Sequence, residues 1–135
     1  MTSDAPAVRR KRPAKPQFTQ TILVLEACSV LFATLVAYGL RVADPAVVWG
    51  VGGGLALLLV LLAGRVGKPG GYALGWVAQA WLVTAAVLLP AVARDIAVLV
   101  AIVFVALWVM AIRVGGRIDR ERAEYDAAHP GAVGP

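Results

Sequence analysis

Two polar side chains inside long apolar stretches are the residues of this sequence best placed to do chemistry. Glu26 lies in the apolar run 21–40, and Gln79 lies in the run 72–91. A carboxylate inside a membrane-spanning segment is costly and usually faces the protein interior, where it pairs with another group or serves transport. An amide can donate two hydrogen bonds to such a carboxylate. Glu26 and Gln79 are therefore a candidate intramembrane polar pair.

The depths of the two groups favour this pairing. At a rise of 1.5 Å per residue, Glu26 lies about 7–8 Å from the start of its run and Gln79 about 10 Å from the start of its own. If each run crosses a membrane, both enter from the same side, so the groups lie at similar depth. A hydrogen bond between two such helices contributes about 0.6–2 kcal/mol. The alternative is transport, in which Glu26 gains and loses a proton near working pH.

Small and aromatic residues predict which faces of the helices pack. Ser29, Ala33 and Ala37 follow Glu26 at helical spacing, so this face is expected to contact another helix rather than lipid. Glycines four residues apart permit close helix contact, although the glycines at 50–54 are alternatively a kinked point. Tryptophans are expected near span ends, in aromatic belts. The candidate packing or pocket residues are Ser29, Ala33, Ala37, Gly50, Gly54, Gly71, Tyr72, Gly75 and Trp76, and the four tryptophans are Trp49, Trp76, Trp81 and Trp108.

The composition places these residues in a membrane protein. The chain has 135 residues, of which 60% are hydrophobic, more than the roughly 45–50% of a soluble domain. The apolar residues fall into four runs, each close to the ~20 residues that cross a bilayer as a helix. We predict an all-α membrane bundle of four transmembrane helices, with spans at about 19–41, 46–64, 72–91 and 95–114. Short connections make successive helices antiparallel neighbours.

Charged tails flank this predicted transmembrane domain, which covers residues 18–115. Residues 1–17 are basic and contain three prolines, so a disordered cytoplasmic tail is expected. Residues 116–135 are charged and lack an apolar stripe. They are predicted to form a cytoplasmic helix and tail that continue the fourth span.

The distribution of basic residues predicts the orientation. Eleven of the 13 Lys and Arg residues fall in the N-terminal tail, in the 65–71 turn and from Arg113 onward, which lie on one side of the predicted bundle. Only Arg41 and Arg94 fall on the other side. Because positively charged loops stay inside, both termini are predicted to lie in the cytoplasm, with the chain in the plasma membrane. The same distribution argues against nucleic acid as a partner, and the expected partners are the lipid bilayer and either a second copy or another membrane protein.

The sequence offers no catalytic constellation. Its one histidine, His129, lies in the tail, and its one cysteine, Cys28, lies in the first run. The only carboxylate within the span bounds besides Glu26 is Asp95, at the first position of the fourth span. The sequence therefore lacks the residues that general acid–base catalysis and nucleophilic catalysis require. We predict no enzyme activity, no metal site and no cofactor.

Three stretches give the chain a family resemblance. They are LVLEA at 23–27, LGWVAQ at 74–79, and Trp108 followed by GRIDRER at 116–122. Together they resemble the DUF4233 family, small actinobacterial four-span integral membrane proteins of unknown function, over roughly residues 17–122. The resemblance implies four spans and an actinobacterial plasma membrane, and it implies no activity.

The architecture also resembles that of small multidrug-resistance exporters. Those proteins are short four-span chains with a lone glutamate in the first span, which exchanges protons for cationic drugs, and with aromatics in the third. This chain departs from them in its one-sided charge distribution and its charged C-terminal helix.

Three functions therefore follow from the sequence. The first is a non-enzymatic scaffold or accessory subunit held together by interhelical Glu/Gln and small-residue packing. The second is a small proton-coupled transporter of cationic compounds that uses Glu26. The third is binding of a lipid or an envelope precursor.

Overall fold

Four long helices account for most of the described chain. The computed structural model describes residues 12–131. These residues form α1 (Ala14–Gly39), α2 (Pro45–Ala63), α3 (Gly71–Leu88) and α4 (Ala91–Ala128), and no strand occurs among them. Each helix is long and apolar enough to cross a membrane. The predicted all-α architecture with four membrane-spanning helices is confirmed.

The first helix begins earlier than expected. The predicted disordered tail covers residues 1–17, of which residues 1–11 lie outside the described part of the chain. From Ala14 onward the chain is helical, so the prediction was wrong for residues 14–17. Pro16 does not oppose this start, because the first turn of a helix needs no backbone N–H donors of its own.

A carboxylate from the opposite end of the chain caps this first turn. Asp119 on α4 accepts hydrogen bonds from Ala14 N at 2.6 Å and from Lys15 N at 3.0 Å. Pro16 has no N–H, so the first three backbone positions of α1 leave no donor unpaired. The negative charge also interacts favourably with the positive end of the helix dipole. The start of α1 is thus held by a contact that no local sequence signal announces.

Gly115 lets the start of α1 and the C-terminal half of α4 come this close. A side-chain carbon at Gly115 would collide with the backbone of Lys15. The Lys15 ammonium group then lies 4.2 Å from the centre of the Tyr72 ring, which brings α3 into the same contact. The beginning of α1, the beginning of α3 and the end of α4 therefore lie on one side of the bundle.

The helices form a ring in the order α2, α1, α4, α3. The main contacts join α1 with α2, α1 with α4, and α3 with α4, whereas α2 and α3 touch less. Helices α1 and α3 consequently lie on a diagonal of the bundle. The buried core is formed by Leu23, Ala27, Leu59, Leu62, Ala63, Val66 and Trp108.

The second helix contains an irregular turn. Asp44 caps its start by accepting a hydrogen bond from Ala46 N at 2.9 Å. Residues Trp49–Gly53 are π-helical, and Gly54–Ala63 return to α-helix. The glycine cluster thus coincides with a widened turn, which is a common site of helix irregularity.

The outer surface of the bundle is apolar. Large side chains such as Phe32, Leu57 and Ile102 are 67%, 59% and 57% exposed. Monomeric soluble proteins rarely expose continuous apolar surface of this extent, whereas a bilayer solvates it. Together with the four spanning helices, this surface makes the chain a multi-pass membrane protein.

The fourth helix is longer than a membrane is thick. Its 38 residues span about 57 Å, against about 30 Å of hydrocarbon. Its charged final turns therefore extend beyond the bilayer, where Arg117 forms an exposed ion pair with Glu121 at 2.8 Å.

Candidate functional site

Glu26 and Gln79 meet across the diagonal of the bundle. Each side chain is only 1% exposed, and Gln79 Nε2 donates a hydrogen bond to Glu26 Oε1. Their backbones lie on helices with few direct contacts, so the two long side chains bridge the interior. Among the described residues, Glu26 is the one ionisable side chain classed as buried. A charge or proton on Glu26 therefore has no buried titratable neighbour to which it can pass.

Trp108 is the third large polar-tipped side chain in this interior. It is fully buried on α4, so the expectation that it lies in an aromatic belt was wrong. Its six-membered ring occupies the space over Gly75, where a side-chain carbon would collide with Cζ2 and Cη2. The Trp76 ring packs edge-on against it, with centroids 6.5 Å apart. Gly75 is thus the position that admits the indole between α3 and α4.

Three buried polar atoms in this region have no hydrogen-bond partner among the described residues. They are Glu26 Oε2, Gln79 Oε1 and Trp108 Nε1. The first is the second oxygen of the Glu26 carboxyl group, the second is the one carbonyl oxygen of the Gln79 amide, and the third is an N–H donor. A buried polar atom without a partner costs roughly 1–3 kcal/mol, so this group requires an explanation.

The buried face of α1 differs from the predicted stripe. Ser29 and Ala37 are half-buried, but Ala33 is exposed, so the prediction that this position avoids the outer surface was wrong. The reason is a rotation of the helix about its axis. The positions that face the bundle are Thr19, Leu23, Glu26, Ala27 and Thr34.

The glycines divide into two groups. Gly50 and Gly54 are exposed, and a side-chain carbon at either would meet nothing within 4 Å, so their predicted packing role is not seen inside the bundle. The close approach of α2 to α1 occurs instead at Gly52, which lies against Thr34. Gly71 and Gly75 are both buried, and Gly71 lies against the carbonyl oxygens of the preceding turn.

Tyr72 and Trp76 lie on the flanks of the Glu26–Gln79 pair. Tyr72 is half-buried and faces Lys15, while Trp76 is 46% exposed toward the outside of the bundle. No aromatic box therefore forms around Glu26 from these two residues. Of the tryptophans, Trp108 rather than Trp76 enters the interior.

Two grooves on the bundle are mostly apolar and are not lined by this pair. One groove of about 180 Å³ runs between α1 and α2, and a second lies on the outer face of α4. Neither is lined by Glu26 or Gln79. No group of three potential metal ligands occurs among the described residues.

Two residues with structural roles in the bundle, Asp119 and Trp108, were not predicted from the sequence. Asp119 appears in the sequence as one charge among many in a polar segment, and only the folded chain shows that it caps α1. Trp108 lies near the end of the fourth apolar run, which favours a belt position over the interior. In the sequence, Trp108 is seven residues from each of two small residues, Ala101 and Gly115, and this helical spacing indicates a shared face. In the structure all three positions are buried.

Comparison with known protein families identifies the family of the chain. A family model described as protein of unknown function (DUF4233) matches residues 17–124. No curated protein and no solved structure matches the chain.

Proposed function

This chain belongs to the DUF4233 family, and we propose that it is a non-enzymatic scaffold or accessory subunit. We propose further that it works in an actinobacterial plasma membrane, as its resemblance to this family implies. In this role the Glu26–Gln79 pair fixes α1 against α3, and the apolar outer surface contacts lipid and a second copy or another membrane protein. Both termini lie in the cytoplasm.

The observation that carries this proposal is the direct hydrogen bond between two side chains that are each 1% exposed. A transport carboxylate must reach its substrate and solvent, but Glu26 is enclosed by the bundle and lines neither groove. A structural carboxyl group needs only a partner, and Gln79 supplies one. Interhelical hydrogen bonds of this kind stabilise membrane bundles.

Proton-coupled transport of small cations is the second candidate. One observation favours it: Glu26 Oε2 is buried without a partner among the described residues, so the carboxyl group retains capacity to bind a proton or a cation. The absence of a second buried ionisable group in the described residues disfavours it, because a relay across the bilayer would require other carriers.

Glu26→Gln tests the structural role at the level of assembly. The substitution keeps the size of the side chain and an acceptor for Gln79 but removes the ability to titrate. A scaffold is expected to retain its stability and oligomeric state in detergent, measured by unfolding and by size-exclusion chromatography. Loss of assembly in Glu26→Gln would show that the ionisable form itself holds the bundle.

The orientation has its own test. Asp119 contacts the start of α1, which supports placing both chain ends on the same side, and eleven of 13 Lys and Arg residues support the cytoplasmic side. A reporter fused after Gly131 is expected to read cytoplasmic, and one inserted beside Asp44 is expected to read external. An external reading for the fusion after Gly131 would contradict the proposal.

A further inference from the structure

The three unpaired polar atoms of the interior form a complementary set. Glu26 Oε2 and Gln79 Oε1 can each accept a hydrogen bond, and Trp108 Nε1 donates one. Each parent side chain is at most 1% exposed. A buried water typically makes about three hydrogen bonds to groups of this kind. The number and type of these atoms therefore match one water molecule, which donates two bonds and accepts at least one.

The contacts of the three side chains place them in one region. Glu26 and Gln79 are hydrogen bonded to each other. Trp108 lies over Gly75, which is one helical turn from Gln79, and both positions are buried on α3. Trp108 also shares the core cluster with Leu23 and Ala27, which flank Glu26 on α1. All three side chains therefore lie in the same part of the bundle interior.

We propose that this region is a binding site for a single water molecule shared by α1, α3 and α4. The water donates to Glu26 Oε2 and Gln79 Oε1 and accepts from Trp108 Nε1. It extends the Glu26–Gln79 pair to a third helix, since α4 otherwise contributes no polar atom to it.

Other small ligands fit these atoms less well. A proton shared by Glu26 and Gln79 satisfies their two oxygens but leaves the Trp108 N–H without an acceptor. An ammonium-type cation only donates, so it also cannot accept from Trp108. Water suits either protonation state of Glu26, because it can accept from a protonated Oε2 and donate to Gln79 instead.

Magnetisation transfer from water to indole protons tests the site. The protein is labelled with ¹⁵N at its tryptophan indoles and reconstituted in lipid nanodiscs, and Trp108→Phe identifies the Trp108 signal. A cross-peak between a long-lived water and the Trp108 N–H is expected in the wild type. Absence of this cross-peak overturns the proposal, whatever the variants show.

A double substitution tests which groups hold the water. Glu26→Leu combined with Gln79→Leu removes both acceptors, so the Trp108 cross-peak is expected to be lost. Thr84→Val is the matched control, because the Thr84 hydroxyl is exposed and bonds only to Ala80 O of its own helix, and it is expected to leave the cross-peak unchanged. Persistence of the cross-peak in the double variant would also overturn the assignment.

The water site deepens the proposed structural role and fails separately from it. If the cross-peak is missing but Gln79 still contributes to stability, the water site is rejected and the structural role of the Glu26–Gln79 hydrogen bond is retained. If the cross-peak is missing and Gln79 makes no contribution to stability, the structural role is rejected as well.

Discussion

Replacing Gln79 with leucine is expected to destabilise the bundle by about 1–3 kcal/mol, because it leaves the Glu26 carboxyl group buried without its donor. The measurement is the free energy of unfolding in mixed micelles of mild detergent and dodecyl sulfate. Thr84→Val removes a polar group from the same helix at an exposed position and is expected to have little effect.

A double variant, in which Glu26 and Gln79 are both replaced with leucine, tests this prediction most stringently. Replacing both members of a buried hydrogen bond with apolar groups of similar shape is nearly neutral, whereas removing one leaves the other unsatisfied. Glu26→Leu with Gln79→Leu is therefore expected to be more stable than Gln79→Leu alone. Additive destabilisation in the double variant would show that the two side chains do not act as a pair.

Adding one methyl group at Gly75 is expected to have the second large effect. A carbon at this position would collide with Cζ2 and Cη2 of Trp108, a fully buried ring with little room to move. Overpacking of this kind typically costs about 1–3 kcal/mol. Gly75→Ala should therefore lower the free energy of unfolding and shift the Trp108 indole signal in an NMR spectrum.

Gly54→Ala is the matched control for this substitution. Gly54 is helical and exposed, and an added carbon there meets nothing within 4 Å. Since alanine favours a helix over glycine by roughly 0.5–1 kcal/mol, this variant is expected to be neutral or slightly stabilised. Equal destabilisation at Gly54 and Gly75 would contradict the assigned contact with Trp108.

The helices could be predicted because the bilayer imposes a length on each apolar run. The fixed rise per residue also brings Glu26 and Gln79 to similar depth, and in the structure they are hydrogen bonded. The depth of a residue along its helix does not determine which side of the helix it faces. Each residue turns the helix by about 100°, so Ala33 was assigned to the bundle interior although Ala27 and Thr34 occupy it.

The remaining contacts depend on the folded chain. Trp108 enters the core because Gly75 on another helix leaves space for it, and neither residue indicates this alone. Asp119 caps a helix that begins more than a hundred residues earlier in the chain. The early start of α1 follows from that contact, so a prediction from the local sequence of residues 1–17 could not anticipate it.

Proton movement through the reconstituted protein tests the structural role of Glu26 most directly. Wild-type and Glu26→Gln proteins are inserted in vesicles that hold a pH-sensitive dye, and a pH gradient is imposed with and without tetraphenylphosphonium as a cationic probe. The structural role predicts that wild-type and variant vesicles lose the gradient at the same rate in both conditions. Proton movement that depends on tetraphenylphosphonium in the wild type and vanishes in Glu26→Gln would contradict it and establish Glu26 as a transport residue.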